Sequence, residues 1–163
     1  MGQMTARRSA QLAEAAERGL VHEYLAFVLA GELYAVDLAR VREILSPPPI
    51  TLVPRAGREV LGVCSVRGLL VTVVDLRLRL RLPAAPVTRR SRILLALANS
   101  GEVVGLMVDE VKQVVRLAES ELELAQGVLG GDVAEHVMGI ARPAGAVLVL
   151  LDLGAIVSGA ARG

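Results

Sequence analysis

The chain has 163 residues, of which 53% are hydrophobic and 21% are charged, and its formal net charge is +1. This composition excludes a disordered chain, and the near-neutral charge with only 2% aromatic residues argues against a nucleic-acid-binding protein. A single cysteine, Cys64, excludes an internal disulfide and fits a reducing compartment.

The N-terminal segment, residues 1–21, is an arm rich in Ala, Glu and Arg, which we predict to be helical or disordered. It lacks the apolar stretch of a signal peptide. Elsewhere no apolar run approaches the roughly 18 residues that cross a bilayer. We therefore expect a cytoplasmic protein with no direct membrane insertion.

From Tyr24 onward, short runs of Val, Leu and Ile alternate with Gly, Pro and Asp, a pattern typical of many short strands. We expect an all-β domain over residues 22–158 and a short tail at 159–163. The proline-bounded segment at 83–86 divides this domain. It predicts one barrel mainly within 22–85 and another mainly within 88–150, with exchange of strands between them left open.

The two halves of the domain repeat one another. Residues 27–45 align with 95–115, with an offset of 70 at their shared valines, and residues 60–76 align with 137–153 at an offset of 77. Features that both copies retain are expected to be architectural. The residues that we assign to structural turns are Gly62, Gly68, Asp75, Gly139, Gly145 and Asp152.

Arg67 stands before a glycine and a strongly apolar, β-branched run. Three roles are open for it: a catalytic group, half of a buried ion pair, or an outward contact with another protein. The second copy has Ala144 at the matching position. Because the fold is evidently built there without an arginine, we predict that Arg67 is a surface feature added to one copy.

The sequence does not indicate a catalytic or metal site. His22 and His136 have no Cys, His or carboxylate at metal-ligand spacing, and we interpret both as surface or rim residues. Cys64 has no base nearby in sequence and is typical of a small buried hydrophobe. We therefore predict no enzymatic activity, no cofactor and no metal.

Residues 75–82 alternate leucine with Arg77, Arg79 and Arg81. In a strand, a period of two places the arginines on one face and the leucines on the core. Two interpretations stay open: a solvated strand that resists aggregation, or a basic stripe that contacts an acidic partner. The scarcity of aromatic residues disfavours nucleic acid as that partner.

Three segments, taken together and in this order, resemble the CheW family of chemotaxis coupling proteins. They are YAVDLARVREIL (34–45), GVCSVRGLLVTVVDLR (62–77) and VVGLMVDEVKQVV (103–115). The resemblance covers about residues 23–157. The chain departs from the family pattern at Ser65, Val66 and Thr72, which marks it as a divergent member.

The resemblance implies two intertwined five-stranded, SH3-like barrels with a hydrophobic core between them. It also implies a non-enzymatic adaptor that links the cytoplasmic tip of a methyl-accepting chemoreceptor to the regulatory domain of a CheA-type histidine kinase in receptor arrays. The receptor contacts that it implies are Val41, Glu43 and Arg67. Ser65, Thr72 and the arm favour an alternative, an array component that binds receptor without activating a kinase.

Overall fold

The structure, a computed structural model, describes residues 21–124 and 135–160. Within these ranges the strands are β1 (Val21–Leu29), β2 (Glu32–Asp37), β3 (Val41–Leu45), β4 (Val60–Val66), β5 (Leu69–Asp75), β6 (Arg92–Leu97), β7 (Val103–Val108), β8 (Glu110–Ala118), β9 (Glu123–Leu124), β10 (Val137–Ala141) and β11 (Leu148–Leu151). The α-helices are α1 (Leu76–Arg79) and α2 (Leu153–Ala160), and short 3-10 turns span Leu38–Arg40, Glu119–Glu121 and Pro143–Gly145. The all-β prediction is confirmed. The arm predicted for residues 1–21 lies outside the described residues, except for Val21, which begins β1.

The strands form two sheets. The first has the order β8-β1-β2-β11-β10-β9, and the second has the order β3-β6-β7-β5-β4. Strands β2 and β11 pair in parallel, as do β5 and β7, whereas the other pairs are antiparallel. Strand β9 has two residues, and its counterpart beside the second sheet is a single antiparallel bridge between Thr51 and Val63.

The sheet order reproduces the internal repeat. Strands β1, β2 and β3 match β6, β7 and β8, and the hairpin β4–β5 matches β10–β11. Replacing every strand of the second sheet by its repeat gives β8-β1-β2-β11-β10, which is the order of the first sheet without the edge strand β9. Apart from β9, each copy therefore contributes two strands to one sheet and three to the other, so the two sheets are intertwined.

The segment at 83–86 does not separate the two sheets, because β5 and β6 on either side of it both belong to the second sheet. The first sheet takes its strands from 21–37 and 110–151, and the second takes them from 41–108. The division into 22–85 and 88–150 therefore differs from the sheet membership. The parallel pairs β2–β11 and β5–β7 join one copy to the other, which a break in local composition cannot reveal.

Alternate side chains of the strands enter different hydrophobic clusters. The cluster between the sheets includes Leu25, Phe27, Leu29, Val36, Leu94, Leu106, Leu151 and Ile156. On the other face of β1, Tyr24 and Ala26 join a cluster inside the first sheet, and a third cluster fills the second sheet around Val73 and Ile93. Because many strands are buried on both faces, their sequences are nearly continuous apolar runs.

The prediction that residues 75–82 form a strand with a basic face is wrong. The Asp75 carboxylate accepts a hydrogen bond from the backbone N–H of Arg77 at 3.0 Å, and α1 begins there. Leu76 and Leu80 are buried. Their spacing of four fits both a helical turn and a two-residue period, so the leucines did not distinguish the two structures.

A second aspartate–leucine pair begins α2. The Asp152 carboxylate accepts a hydrogen bond from the backbone N–H of Ala155 at 3.1 Å, and α2 then runs to Ala160, past the boundary predicted at 158. Both copies thus end their last strand with an aspartate that turns the chain into a helix. Ile156 and Val157 of α2 are fully buried in the cluster between the sheets.

Candidate protein-binding surface

The turn between β4 and β5 consists of Arg67 and Gly68, whose φ angles are +49° and +83°. Two successive positive φ values are typical of the two-residue hairpin turn that matches the twist of its strands. A Cβ atom at Gly68 would meet no atom within 4 Å, so the backbone angle, not space, requires glycine there. Ala144 and Gly145 have nearly the same angles, +53° and +84°.

Arg67 forms a two-pronged ion pair with Glu43 of β3. Arg67 Nη1 donates to Glu43 Oε2 at 2.7 Å, and Arg67 Nη2 donates to Glu43 Oε1. This contact crosses from the β4–β5 turn to β3, so it joins the two edge strands of the second sheet and helps to close it into a barrel. The hydrogen bond from Arg67 lowers the pKa of Glu43 below its usual value.

The pair is open to solvent. The Arg67 side chain is 73% exposed and the Glu43 side chain is 29% exposed. Ion pairs in such positions contribute little to stability, because water and salt screen them. Of the three roles considered for Arg67, a buried ion pair is therefore excluded, and its guanidinium is accessible to another molecule.

Val41 lies on the same strand but contacts a different part of the molecule. The pairing of β3 with β6 shifts between Val41 and Glu43, which marks a β-bulge at Arg42. Val41 is half-buried and packs against the cluster between the sheets. The structure thus brings Glu43 and Arg67 into direct contact and leaves Val41 beside them along β3.

Exposed apolar residues flank Arg67 and Glu43 along the chain. Leu69 and Leu70 follow Gly68 and are 69% and 77% exposed, and Ile44 beside Glu43 is 42% exposed. The apolar run after Gly68 does not begin with buried residues, because pairing of β5 with β7 begins only at Thr72. The length of the neighbouring strand, which composition does not show, decides where burial starts. Apolar side chains exposed together are typical of a protein-binding surface.

The remaining predicted turn residues lie away from this surface. At Gly62, whose φ is +150°, an added Cβ would collide with the carbonyl oxygen of Thr51. Contrary to the prediction, Gly62 and Gly139 are not in turns but lie within β4 and β10, each after a register shift at an equivalent place. The carboxylate of Asp75 is buried, and this burial raises its pKa, opposed by hydrogen bonds from the backbone of α1.

The arginines predicted as a basic stripe do not share a surface. Arg77 is 17% exposed and its Nε donates to Asp109 Oδ1 at 2.8 Å. Arg79 is 15% exposed and its Nε lies 3.5 Å from a carboxylate oxygen of Glu59. Arg81 is exposed, with a φ of +62°. Sequence analysis missed the Arg77–Asp109 pair because its partners are 32 residues apart.

The histidines and the cysteine lie in separate places. His22 Nε2 is 3.5 Å from Glu119 at the surface. His136 is 8% exposed, which corrects its interpretation as a rim residue. Cys64 is 2% exposed, as predicted, and burial raises the pKa of its thiol. Among residues 21–124 and 135–160, no three His, Cys, Asp or Glu side chains are grouped to hold a metal ion.

In the same described ranges, no helix is both long enough and apolar enough to span a membrane.

These features define a class of protein: a duplicated, strand-exchanged double β-barrel that presents an arginine–glutamate pair and apolar side chains on an open surface. A profile of the CheW-like domain matches residues 23–161. The chain belongs to the CheW family, as its sequence motifs indicated.

Individual relatives agree with this assignment. The chain is 31% identical over 132 residues to the chemotaxis protein CheW of Bacillus subtilis (strain 168), covering 81% of this chain and 84% of that protein. It is 30% identical over 134 residues to the chemotaxis protein CheW of Rhizobium meliloti (strain 1021), covering 82% and 86%. The crystal structure of the scaffolding protein TtCheW from Thermoanaerobacter tengcongensis matches with a TM-score of 0.77 at 28% identity, covering 84% of this chain and 92% of that one.

Proposed function

We propose that this protein is a non-enzymatic adaptor that joins the cytoplasmic tip of a chemoreceptor to the regulatory domain of a CheA-type histidine kinase. Membership of the CheW family supports this function, and so do relatives named as chemotaxis and scaffolding proteins. The single observation that carries the proposal is the exposed Arg67–Glu43 pair with apolar side chains beside it. In this function the protein works in the cytoplasm, at receptor arrays.

Arg67 is suited to anchor a receptor helix. A guanidinium has five N–H donors, and Glu43 receives one from Nη1 and one from Nη2. The other donors of this 73% exposed side chain are available to a carboxylate or to the carbonyl groups at a helix end. Glu43 holds the guanidinium in place before binding, which reduces the entropy lost when the partner docks.

The adjoining apolar side chains supply the burial that an interface requires. Leu69 and Leu70 are largely exposed, and full burial of such a side chain contributes about 1.5–3 kcal/mol. Arginine is among the residues that interface hot spots favour, and it anchors best where neighbouring contacts exclude water. Val41 supports this surface from within, because it fixes β3 on the cluster between the sheets.

The surface around Arg67 is proposed for the receptor, and the kinase is proposed to bind elsewhere on the molecule. Kinase binding should then survive the loss of Arg67. A member of the family that binds receptor without activating a kinase is the alternative function. A kinase-activity assay with receptor, performed with and without this protein, distinguishes the two functions.

The experiment that tests the adaptor function compares two exposed arginines. Arg67→Ala should weaken binding to a receptor-tip fragment about thirtyfold, the scale of a hot spot. Arg116→Ala is the matched control, because Arg116 is 75% exposed and lies 3.6 Å from Glu23 on the first sheet. This control should bind the fragment like the unaltered protein.

Calorimetric titration with the receptor fragment and with the kinase regulatory domain measures both partners. Thermal melts show whether each variant is folded. Equal receptor binding by the Arg67 and Arg116 variants would contradict the proposed surface. Loss of folding in the Arg67 variant would instead show that this arginine is structural.

A further inference from the structure

The first sheet has a cavity of about 410 Å³ at the place that corresponds to the Arg67–Glu43 pair. Its floor is apolar and includes Ala26, Leu33, Val115 and Leu148. Ala144 and Ala146 of the β10–β11 turn form one side of its mouth, and Lys112 and Gln113 of β8 form the other. This size lies within the range of small-molecule sites, about 300–1,000 Å³.

The strand registers show why the cavity is open in one sheet and filled in the other. Ala26 pairs with Gln113 and with Ala35, and Leu95 occupies the matching place in the second sheet, where it pairs with Glu43 and with Gly105. Leu95 is 5% exposed and fills the interior of its sheet. At the same place in the first sheet the alanine leaves the space of a leucine side chain empty.

The side chains at the mouth of the cavity also differ from those at the matching place in the second sheet. In the second sheet Arg67 donates hydrogen bonds to the carboxylate of Glu43. In the first sheet Ala144 stands in place of the arginine, and Gln113 stands in place of the glutamate. Beside Gln113, the Lys112 side chain is 48% exposed, and its Nζ lies 3.2 Å from Glu110 Oε1.

The polar side chains at this mouth offer more donors than acceptors, because only the Gln113 amide oxygen accepts. The ammonium of Lys112 has three N–H groups and the Gln113 amide has two. Among the residues that line the cavity, no side chain is a carboxylate. A ligand that fits the site therefore needs an apolar part that packs on the floor and an acceptor group at the mouth. An anionic acceptor suits the Lys112 ammonium best.

We propose that this cavity binds an aliphatic carboxylate, with the hydrocarbon chain against Ala26 and Leu148 and the carboxylate at Lys112 and Gln113. Two sources have this chemistry: a free fatty acid, and the C-terminal aliphatic residue of a peptide. The site is separate from the proposed receptor surface, so either proposal can fail without the other.

Calorimetric titration of the full chain with octanoate tests the site, and octanol and octylamine are its charge controls. Octanoate should bind with saturation below its micelle concentration, at least about tenfold tighter than either control. A short peptide ending in leucine, with a free or an amidated C-terminus, is titrated alongside. Whichever binds more tightly, octanoate or the peptide with the free C-terminus, identifies the source of the ligand.

Variants locate the binding. Ala26→Leu introduces the leucine that fills the second sheet, and it should weaken octanoate binding at least about tenfold. If this variant does not fold, Ala146→Leu at the mouth of the cavity should weaken binding in the same way. Lys112→Gln should weaken binding, whereas Glu110→Gln should strengthen it by releasing the ammonium. Arg116→Gln, on the same strand but outside the lining, should have no effect.

Absence of saturable octanoate binding would overturn the proposal. Binding that is unchanged by Ala26→Leu and Ala146→Leu in folded protein would place the ligand elsewhere and would overturn it too. Equal affinity for octanoate and octanol would reject the carboxylate part of the ligand class.

Discussion

The turns β4–β5 and β10–β11 have the same pair of backbone angles but different side chains. Arg67 and Gly68 have φ values of +49° and +83°, and Ala144 and Gly145 have +53° and +84°. The backbone requires the glycine and accepts either residue before it. The difference shows that the backbone of the turn does not require the arginine, whose side chain is 73% exposed.

The same comparison extends to the two barrel interiors. In the second sheet a leucine and an ion pair fill and close the barrel, whereas in the first sheet alanines leave a cavity. One backbone plan thus supports an exposed ion pair at one sheet and a cavity at the other.

Exchanging the interior residues should give the largest effect on stability. Leu95→Ala should lower the free energy of unfolding by about 3 kcal/mol, because it removes buried methyl groups and leaves a cavity. The reverse change, Ala26→Leu, enters existing space and should change it by less than about 1 kcal/mol. Urea denaturation measures both. Similar losses in the two variants would show that the two interiors are packed alike.

Substituting the turn glycines should have the next largest effect. Gly68→Val and Gly145→Val should each cost about 1–3 kcal/mol of stability, because a β-branched residue resists positive φ. Denaturation should show similar losses, whereas receptor binding should fall only for Gly68→Val. A loss at one glycine alone would mean that the two turns are not structurally equivalent.

The half-buried Arg77–Asp109 pair should contribute more to stability than the exposed Arg67–Glu43 pair. Burial raises the pKa of Asp109, but hydrogen bonds from Arg77 and the Ala30 N–H outweigh it and hold this pKa below its usual value. A lowered folded-state pKa gives stability above the unfolded-state pKa, and this stability is lost as pH falls through the folded-state value.

Asp109→Asn should therefore cost about 1.5 kcal/mol at neutral pH, and its difference from the unaltered protein should shrink in acid. Glu43→Gln, at the exposed pair, should have little effect on the melting temperature. Denaturation curves recorded from neutral pH into the acid range measure both variants. A difference for Asp109→Asn that does not change with pH would contradict the lowered pKa.

Placing asparagine before the turn glycines should have the smallest effect on stability. Asparagine adopts positive φ more readily than arginine or alanine does. Arg67→Asn and Ala144→Asn should each leave the melting temperature unchanged or raise it by about 1–3 °C. Thermal melts that show a fall of several degrees for Arg67→Asn alone would mean that the ion pair is needed for stability.

The sequence was sufficient to predict the parts of the fold that depend on residues close together in the chain. The repeated glycines and aspartates predicted the duplicated hairpins, and the short apolar runs predicted the strands. The α1 segment was mistaken for a strand because Leu76 and Leu80 fit both periods. The site depended on tertiary neighbours: 24 residues separate Arg67 from Glu43, and Leu69 is exposed because β5 extends beyond β7.

The most direct test of the central claim exchanges the two charges of the exposed pair. The double variant Arg67→Glu, Glu43→Arg retains an ion pair between the turn and β3 but places the arginine on the strand. If Arg67 itself contacts the receptor, the double variant should melt within about 3 °C of the unaltered protein and still bind a receptor-tip fragment about thirtyfold more weakly. Recovery of full receptor affinity in the double variant would contradict the account, because the pair would then serve only to shape the hairpin.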